Sequence, residues 1–274
     1  GEEDARRWNA MVSLPNGIVL VTGPTGTGKT TTLYSTLKTL ATPEVNVCTV
    51  EDPIEMVEPA FNQVQVLQGI DLTFAAGVRT LLRQDPDIIM VGEIRDVETA
   101  EMAVQAALTG HLVLSTLHTN DAPSAVTRLL DLGVPYYLLN STLNGVMAQR
   151  LVRTLCPHCK QPGELKDEAW EMLVAPWKAN KPPQIYYAKG CLECRMTGYM
   201  GRVGLYEMLS MNSTLRRMIT TETDLQALTE QCYKEGMKPL RISGAAKIAA
   251  GATTIDEVLK VAPPASGDPR KAAR

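Results

Sequence analysis

Gly17-Ile18-Val19-Leu20-Val21-Thr22-Gly23-Pro24-Thr25-Gly26-Thr27-Gly28-Lys29-Thr30 reads as an apolar strand, a glycine-rich turn and the start of a helix. The turn fits G-x-x-x-x-G-K-[ST], in which backbone amides cradle phosphates, the lysine reaches the β and γ groups and the hydroxyl binds Mg²⁺. The strand before it and the helical pattern after it aim the free amides of a helix N-terminus at the anion. Gly23, Pro24, Thr25, Gly26, Thr27, Gly28, Lys29, Thr30 and Thr31 are therefore expected to hold ATP, with Thr30 on Mg²⁺.

Working outward, residues 45–50, 88–91 and 112–114 are further short apolar runs that read as buried strands, and 29–40, 74–82 and 98–108 carry helical periods between them. Strands alternating with helices imply parallel β-α units and an α/β core. After His118 the pattern turns helical. One helix is expected over 122–132, stopped by Gly133, and another opened by Pro135 runs to about residue 151. Residues 156–194 hold Pro162, Pro176, Pro182 and Pro183 among scattered polar groups, an irregular insertion by composition. Beyond it lie a strand at 203–209, helical periods at 215–219, 225–233 and 242–250, and Thr254-Ile255-Asp256-Glu257, which has capping-box spacing. The organisation expected is a core at 1–155, a tetracysteine subdomain at 156–200, a mostly helical part at 201–262 and a disordered tail at 263–274.

With 274 residues, 45% of them hydrophobic, the chain can fill a sizeable core. Its net charge of -3 and pI near 5.7 supply no basic field for nucleic acid or anionic lipid. No apolar run approaches the roughly 18 residues of a membrane span, and no signal-peptide core follows the charged residues 1–7. A soluble chain is expected.

Three groups of residues stand out around the phosphate loop. Ile88-Ile89-Met90-Val91-Gly92-Glu93 is an apolar strand ending in an acid, which a nucleotide-binding sheet delivers to its carboxyl edge. Glu93 is expected beside Mg²⁺ or polarising the attacking water. Thr49-Val50-Glu51-Asp52-Pro53-Ile54-Glu55 puts three acids in one turn after a strand, and clustered acids call for a cation. Glu51 and Glu55 are the candidates to deprotonate water, unranked by sequence. His111 and His118 bracket a strand an odd number of positions apart, so a regular ladder turns them to opposite faces. His118, at the carboxyl end, suits a phosphate sensor; His111 reads as structural.

Of six cysteines, Cys48 and Cys232 stand alone among apolar neighbours. Cys156-Pro157-His158-Cys159 and Cys191-Leu192-Glu193-Cys194 make C-x2-C…C-x2-C, a four-thiolate set for structural Zn²⁺. The 31 residues between the pairs exceed the usual 15–20, at a loop-closure cost of roughly half a kcal/mol against apparent zinc folding energies of about 10 kcal/mol or more.

Together the phosphate loop, Glu51-Asp52-Pro53-Ile54-Glu55, Leu82-Arg83-Gln84-Asp85-Pro86-Asp87 leading into Val91-Gly92-Glu93-Ile94-Arg95-Asp96, and Thr109-Gly110-His111 through His118-Thr119-Asn120-Asp121-Ala122 resemble the type II secretion and type IV pilus assembly ATPases, over residues 14 to 261. The resemblance implies a RecA-like P-loop NTPase core with a parallel-rich sheet, a zinc-binding tetracysteine insertion and a helical C-terminal part. It implies that these motifs are the Walker A, Asp-box, Walker B and His-box elements, so that both histidines, His111 included, belong to the active site. It further implies a homo-oligomer, a hexamer, in which arginines of one domain or subunit complete the ATP site of another; Arg79, Arg83 and Arg95 are the local candidates. Implied partners are an inner-membrane platform protein and a cytoplasmic-membrane anchor protein, with no nucleic acid and no transmembrane segment. The implied location is cytoplasmic, peripheral to the inner membrane. Full-length motors of the family carry an N-terminal domain ahead of the phosphate loop, so the chain resembles the C-terminal motor domain alone. The tetracysteine module is typical of secretion and assembly motors and generally missing from retraction motors. Competing readings are a small-molecule kinase, which lacks an identifiable acceptor lid here, and a nucleic-acid-translocating RecA-like ATPase, which the acidic pI disfavours.

Overall fold

The computed structural model describes residues 1–265, so residues 266–274 of the expected tail lie outside the described residues. The chain forms two units, Gly1–Ala148 with Met208–Leu228, and Gln149–Glu207 with the residues from Thr229 onward. The second unit thus gathers the cysteine segment together with most of the C-terminal helices.

In the first unit, α1 (Glu2–Val12) precedes β1 (Gly17–Thr22) and α2 (Lys29–Leu40). The acids Glu2, Glu3 and Asp4 favour the first turn of α1, and Trp8, Met11 and Val12 form its buried face. The alternation continues through β2 (Val47–Glu51), β3 (Asn62–Gln65), α3 (Phe74–Leu81), β4 (Ile88–Val91), α4 (Val97–Leu108), β5 (Leu112–Leu117), α5 (Ala122–Asp131) and α6 (Tyr136–Thr142). Then come β6 (Leu143–Leu155), β7 (Gln161–Gly163), α7 (Asp167–Val174), β8 (Ile185–Tyr187), β9 (Tyr199–Ser210), α8 (Ser213–Met218), α9 (Leu225–Lys234), α10 (Leu240–Ala249) and α11 (Ile255–Val261). The main sheet has the order β3-β2-β4-β5-β1-β6-β9.

Every residue of β1, β2, β4 and β5 is buried, as a parallel sheet covered on both faces requires. β1 pairs in parallel with β5, Val19 opposite Leu114 and Thr22 opposite Leu117. β4 and β2 extend the parallel set, Met90 opposite Leu114 and Thr49 opposite Met90. All four strands therefore end at one edge, and the turns after them converge there. Polar Ser115 and Thr116 survive inside β5 because their hydroxyls donate to the carbonyls of Val91 and Gly92, each at 2.6 Å. This carries the strand three residues past the expected 112–114.

The helix expected from Pro135 to about residue 151 is corrected to one short helix and a long strand, α6 followed by β6. β1 lies inside the sheet and its free side needs a partner for its backbone groups. β6 supplies it in parallel, Val19 opposite Gly145. Gly145 is required there for a different neighbour, since a Cβ would run into Met11 and sit 2.7 Å from the Leu209 carbonyl oxygen. Polar β3, which the apolar-run criterion passes over, pairs in parallel with β2 at the sheet's edge.

In the second unit the segment expected to be irregular carries α7, whose Trp170, Leu173 and Val174 are buried, and the antiparallel pair β7 and β8. Thr254 does cap α11, accepting the Glu257 amide, but Glu257 does not close a capping box. Its carboxylate instead takes the Arg153 backbone amide at 2.9 Å and the Arg153 guanidinium at 2.7 and 3.1 Å. Among the described residues no helix is long and apolar enough to cross a membrane.

Candidate functional site

The turns after β1, β2 and β4 and the end of β5 surround a cleft of about 430 Å³. Thr25 to Thr31 form one wall, and Glu51, Asp52, Pro53, Glu55, Gly92, Glu93, Thr116 and His118 line the rest. Gly26 and Gly28 have φ of +84° and +81°, left-handed conformations that let successive amides of the loop turn to one side. Lys29, nearly buried, donates to the carbonyls of Gly23 and of Pro24 (3.0 Å), while Thr27 donates to Pro24 (3.0 Å).

A line of polar contacts joins this loop to the acids. The Lys29 ammonium lies 3.3 Å from His118 Nδ1, and His118 Nε2 lies 3.2 Å from Glu93 Oε2. His118 Nδ1 also lies 3.3 Å from the Gly23 carbonyl oxygen, so the ring is lodged between the phosphate loop and Glu93. Glu93 Oε1 then accepts from Arg95 (3.0 Å), whose guanidinium also lies 3.7 Å from Asp52 and over the Phe74 ring. His118, Glu93, Arg95 and Asp52 each sit in the first few residues after a strand and Lys29 opens the helix after β1, which is why distant sequence segments meet here.

The acids of the turn are not equivalent. Glu51 is 3% exposed, and both its oxygens are engaged, by Tyr34 (2.5 Å) on one side and Thr49 (2.8 Å) and Gln63 (3.3 Å) on the other. Burial and the neighbouring Glu51 carboxylate push the Tyr34 phenol well above its ordinary range, keeping it a donor. Glu55, in contrast, is exposed, lines the cleft and has no hydrogen bond or ion pair with another described residue.

Two groups of expected residues are not brought here within the chain. His111 precedes β5, and six residues at about 3.3 Å each put roughly 20 Å between the two ends of that strand. Its Nδ1 lies 2.9 Å from the Ala106 carbonyl, away from the cleft. Arg79 is exposed on α3, its guanidinium 4.0 Å from Met102 Sδ, and Arg83 is exposed after that helix. Of the three arginines, Arg95 alone reaches the acids. Sequence reading missed Tyr34 and Gln63: a tyrosine within α2 and a glutamine in a polar edge strand carry no motif.

In the second unit the Sγ atoms of Cys156, Cys159, Cys191 and Cys194 lie within 4.8 Å of one another. Three measured edges are 3.8, 3.8 and 3.7 Å. A tetrahedron with Zn–S bonds of about 2.3 Å has edges of about 3.8 Å, so the donor set fits zinc. Backbone amides of Cys191 (3.2 Å) and Gly198 (3.1 Å) donate to Cys194 Sγ, and that of Gly190 to Cys159 Sγ (3.3 Å). Burial raises the Cys194 thiol, but these amides and the neighbouring thiols outweigh it and lower the group to about 6.

The sequence profile described as "Type II/IV secretion system protein" matches residues 1–260. The chain belongs to that family. Among relatives of this family, the "Type IV pilus assembly ATPase TfpB" of Acinetobacter baylyi is 59% identical over 258 residues, 94% of this chain and 44% of the relative. The "Type II secretion system ATPase E" of Vibrio cholerae is 49% identical over 251 residues, 92% of this chain and 49% of the relative. The chain thus spans about half the length of these two proteins. Among solved structures, the pilus retraction motor PilT with bound ADP aligns over 97% of this chain and 65% of its own, at TM-score 0.67 and 30% identity. Legionella pneumophila ATPase DotB aligns over 93% and 62%, at TM-score 0.68 and 26% identity.

Proposed function

We propose that the chain is an ATP-hydrolysing motor module that powers type II protein secretion or type IV pilus assembly at the cytoplasmic face of the inner membrane. The observation that carries this reading is the unbroken contact line Lys29–His118–Glu93–Arg95–Asp52 around a cleft walled by the phosphate loop. The family and the activities printed for its relatives agree with it.

Residues 23–31 hold the triphosphate, and Lys29 leaves the Gly23 and Pro24 carbonyls to reach the β and γ groups. The oxygen donors of Thr30 and Glu93 suit a hard cation and would hold Mg²⁺, which when bound offsets charge on the phosphate oxygens. Glu55 orients a water and accepts its proton as the water oxygen bonds to the γ-phosphorus; the bond from that phosphorus to the bridging oxygen breaks and ADP leaves. His118, tied to both Lys29 and Glu93, responds to the γ-phosphate. Cys156, Cys159, Cys191 and Cys194 would hold Zn²⁺ with no position left for water, so the metal is structural, and residues 156–200 form a zinc subdomain.

Arg95 already pairs with two acids of its own chain. A further cation on the developing charge then comes from a neighbouring copy, in a homo-oligomer read as a hexamer. Arg79, Arg83 and His111 are proposed to serve such contacts. An inner-membrane platform protein and a membrane anchor protein are the proposed partners. Phosphate release measured against protein concentration tests the reading: specific activity rises with concentration and Lys29→Ala abolishes it. Full activity in Lys29→Ala refutes it.

A further inference from the structure

The acidic turn is held by side chains that no motif contains. Tyr34 sits on the helix that opens with Lys29, and its hydroxyl meets Glu51 Oε1 (2.5 Å) and the Met56 carbonyl (3.2 Å). Gln63 Nε2 lies 2.9 Å from that carbonyl and 3.0 Å from the Tyr34 oxygen. The phenol proton goes to Glu51, and the two Gln63 amide protons are shared among the Met56 carbonyl, the Tyr34 oxygen and, at 3.3 Å, Glu51 Oε2. Gln63 Oε1 accepts the Glu58 amide at 2.8 Å, and Gln65 Oε1 accepts the Ile54 amide at 3.2 Å. Gln63 and Gln65 share one face of β3, two residues apart, which accounts for a polar strand at this edge. Residues 52–55 are thereby tethered at Glu51, Ile54 and Met56, while Glu55 itself is untied.

We infer that Tyr34, Gln63 and Gln65 are positioning residues that, with Glu51 as their buried anchor, clamp the acidic turn to the phosphate-loop helix and set Glu55 over the cleft. Glu51 is on this account a positioning residue and not the proton acceptor. The inference deepens the proposed ATPase site and rests on it for its kinetic consequence; the clamp has its own readout.

Tyr34→Phe keeps the ring and removes the tether. It lowers kcat about tenfold, which corresponds to 1.36 kcal/mol in the barrier, with KM and the Kd for ADP within about twofold. Glu51→Gln retains a carbonyl acceptor for Tyr34 and loses less turnover than Glu55→Gln, which falls much further. Hydrogen exchange at the Ile54 and Glu58 amides speeds about tenfold in Tyr34→Phe without any nucleotide present. Unchanged exchange in that variant overturns the clamp whether or not the chain turns over ATP. A wild-type kcat for Tyr34→Phe, or Glu51→Gln falling as far as Glu55→Gln, also overturns it. Loss of ADP binding together with turnover in Tyr34→Phe makes Tyr34 part of the binding helix only, and the inference fails.

Discussion

Glu257→Gln tests how far one buried carboxylate secures the second unit. Glu257 is 6% exposed and gathers the Arg153 amide and guanidinium, while Arg153 also lies 4.0 Å over the Tyr199 ring. Stripping one partner from a buried pair costs about 3–5 kcal/mol, and hydrogen bonds to a charged group contribute about 1.5–3 kcal/mol. Two features reduce the loss. The Arg153 side chain is 46% exposed and rehydrates, and glutamine retains one acceptor. The expected loss is therefore about 2 kcal/mol, a fall of roughly 4–8 °C in Tm.

The same pair sets a pH dependence. Burial pushes the Glu257 carboxyl up, but the hydrogen bonds and charge of Arg153 outweigh it and hold the group below its ordinary range. The folded value is the lower one, so the stabilisation is present above the unfolded value of about 4.3 and lost as pH falls through the folded value. The wild-type advantage over Glu257→Gln should stand at pH 7 and shrink steadily below pH 4. Denaturant unfolding followed by tryptophan emission, to which Trp170 and Trp177 of this unit contribute, measures both. A gap under about 0.5 kcal/mol at pH 7, or one that does not change with acid, refutes the reasoning.

Glu93→Gln should leave ATP affinity within about threefold and slow phosphate release on the order of a hundredfold; parallel titration and turnover assays decide, and an equal loss of binding would assign Glu93 to structure. Metal analysis of reduced protein should return about one zinc per chain. Cys191→Ser should lower that ratio and speed hydrogen exchange across residues 156–200; unchanged protection in a zinc-free preparation would refute the structural role.

Much of the core was legible because its signals are local. The phosphate loop names its own geometry through glycines and a lysine at fixed offsets, and the apolar runs within β1 and β4 fit strands covered on both faces. The segment after Pro135 was not legible. Residues 143–151 satisfy helix and buried-strand patterns alike, and the choice fell to the unpaired side of β1, a demand made by a strand more than a hundred residues earlier. β3 stayed hidden for a related reason, since its glutamines face the acidic turn and not an apolar core.

The sequence by itself determined the nucleotide loop, the acid at the end of β4 and the four-thiolate set, because each is specified by residue types at short spacing. Only the tertiary structure decided between like residues. Strand direction put His118 at the cleft and left His111 at the far end of β5. Burial and hydrogen bonding tied Glu51 down and left Glu55 open. The α2 helix brought Tyr34 to the acidic turn. Those choices depend on which strand ends and helix faces meet across long sequence separations, and local pattern carries no record of that.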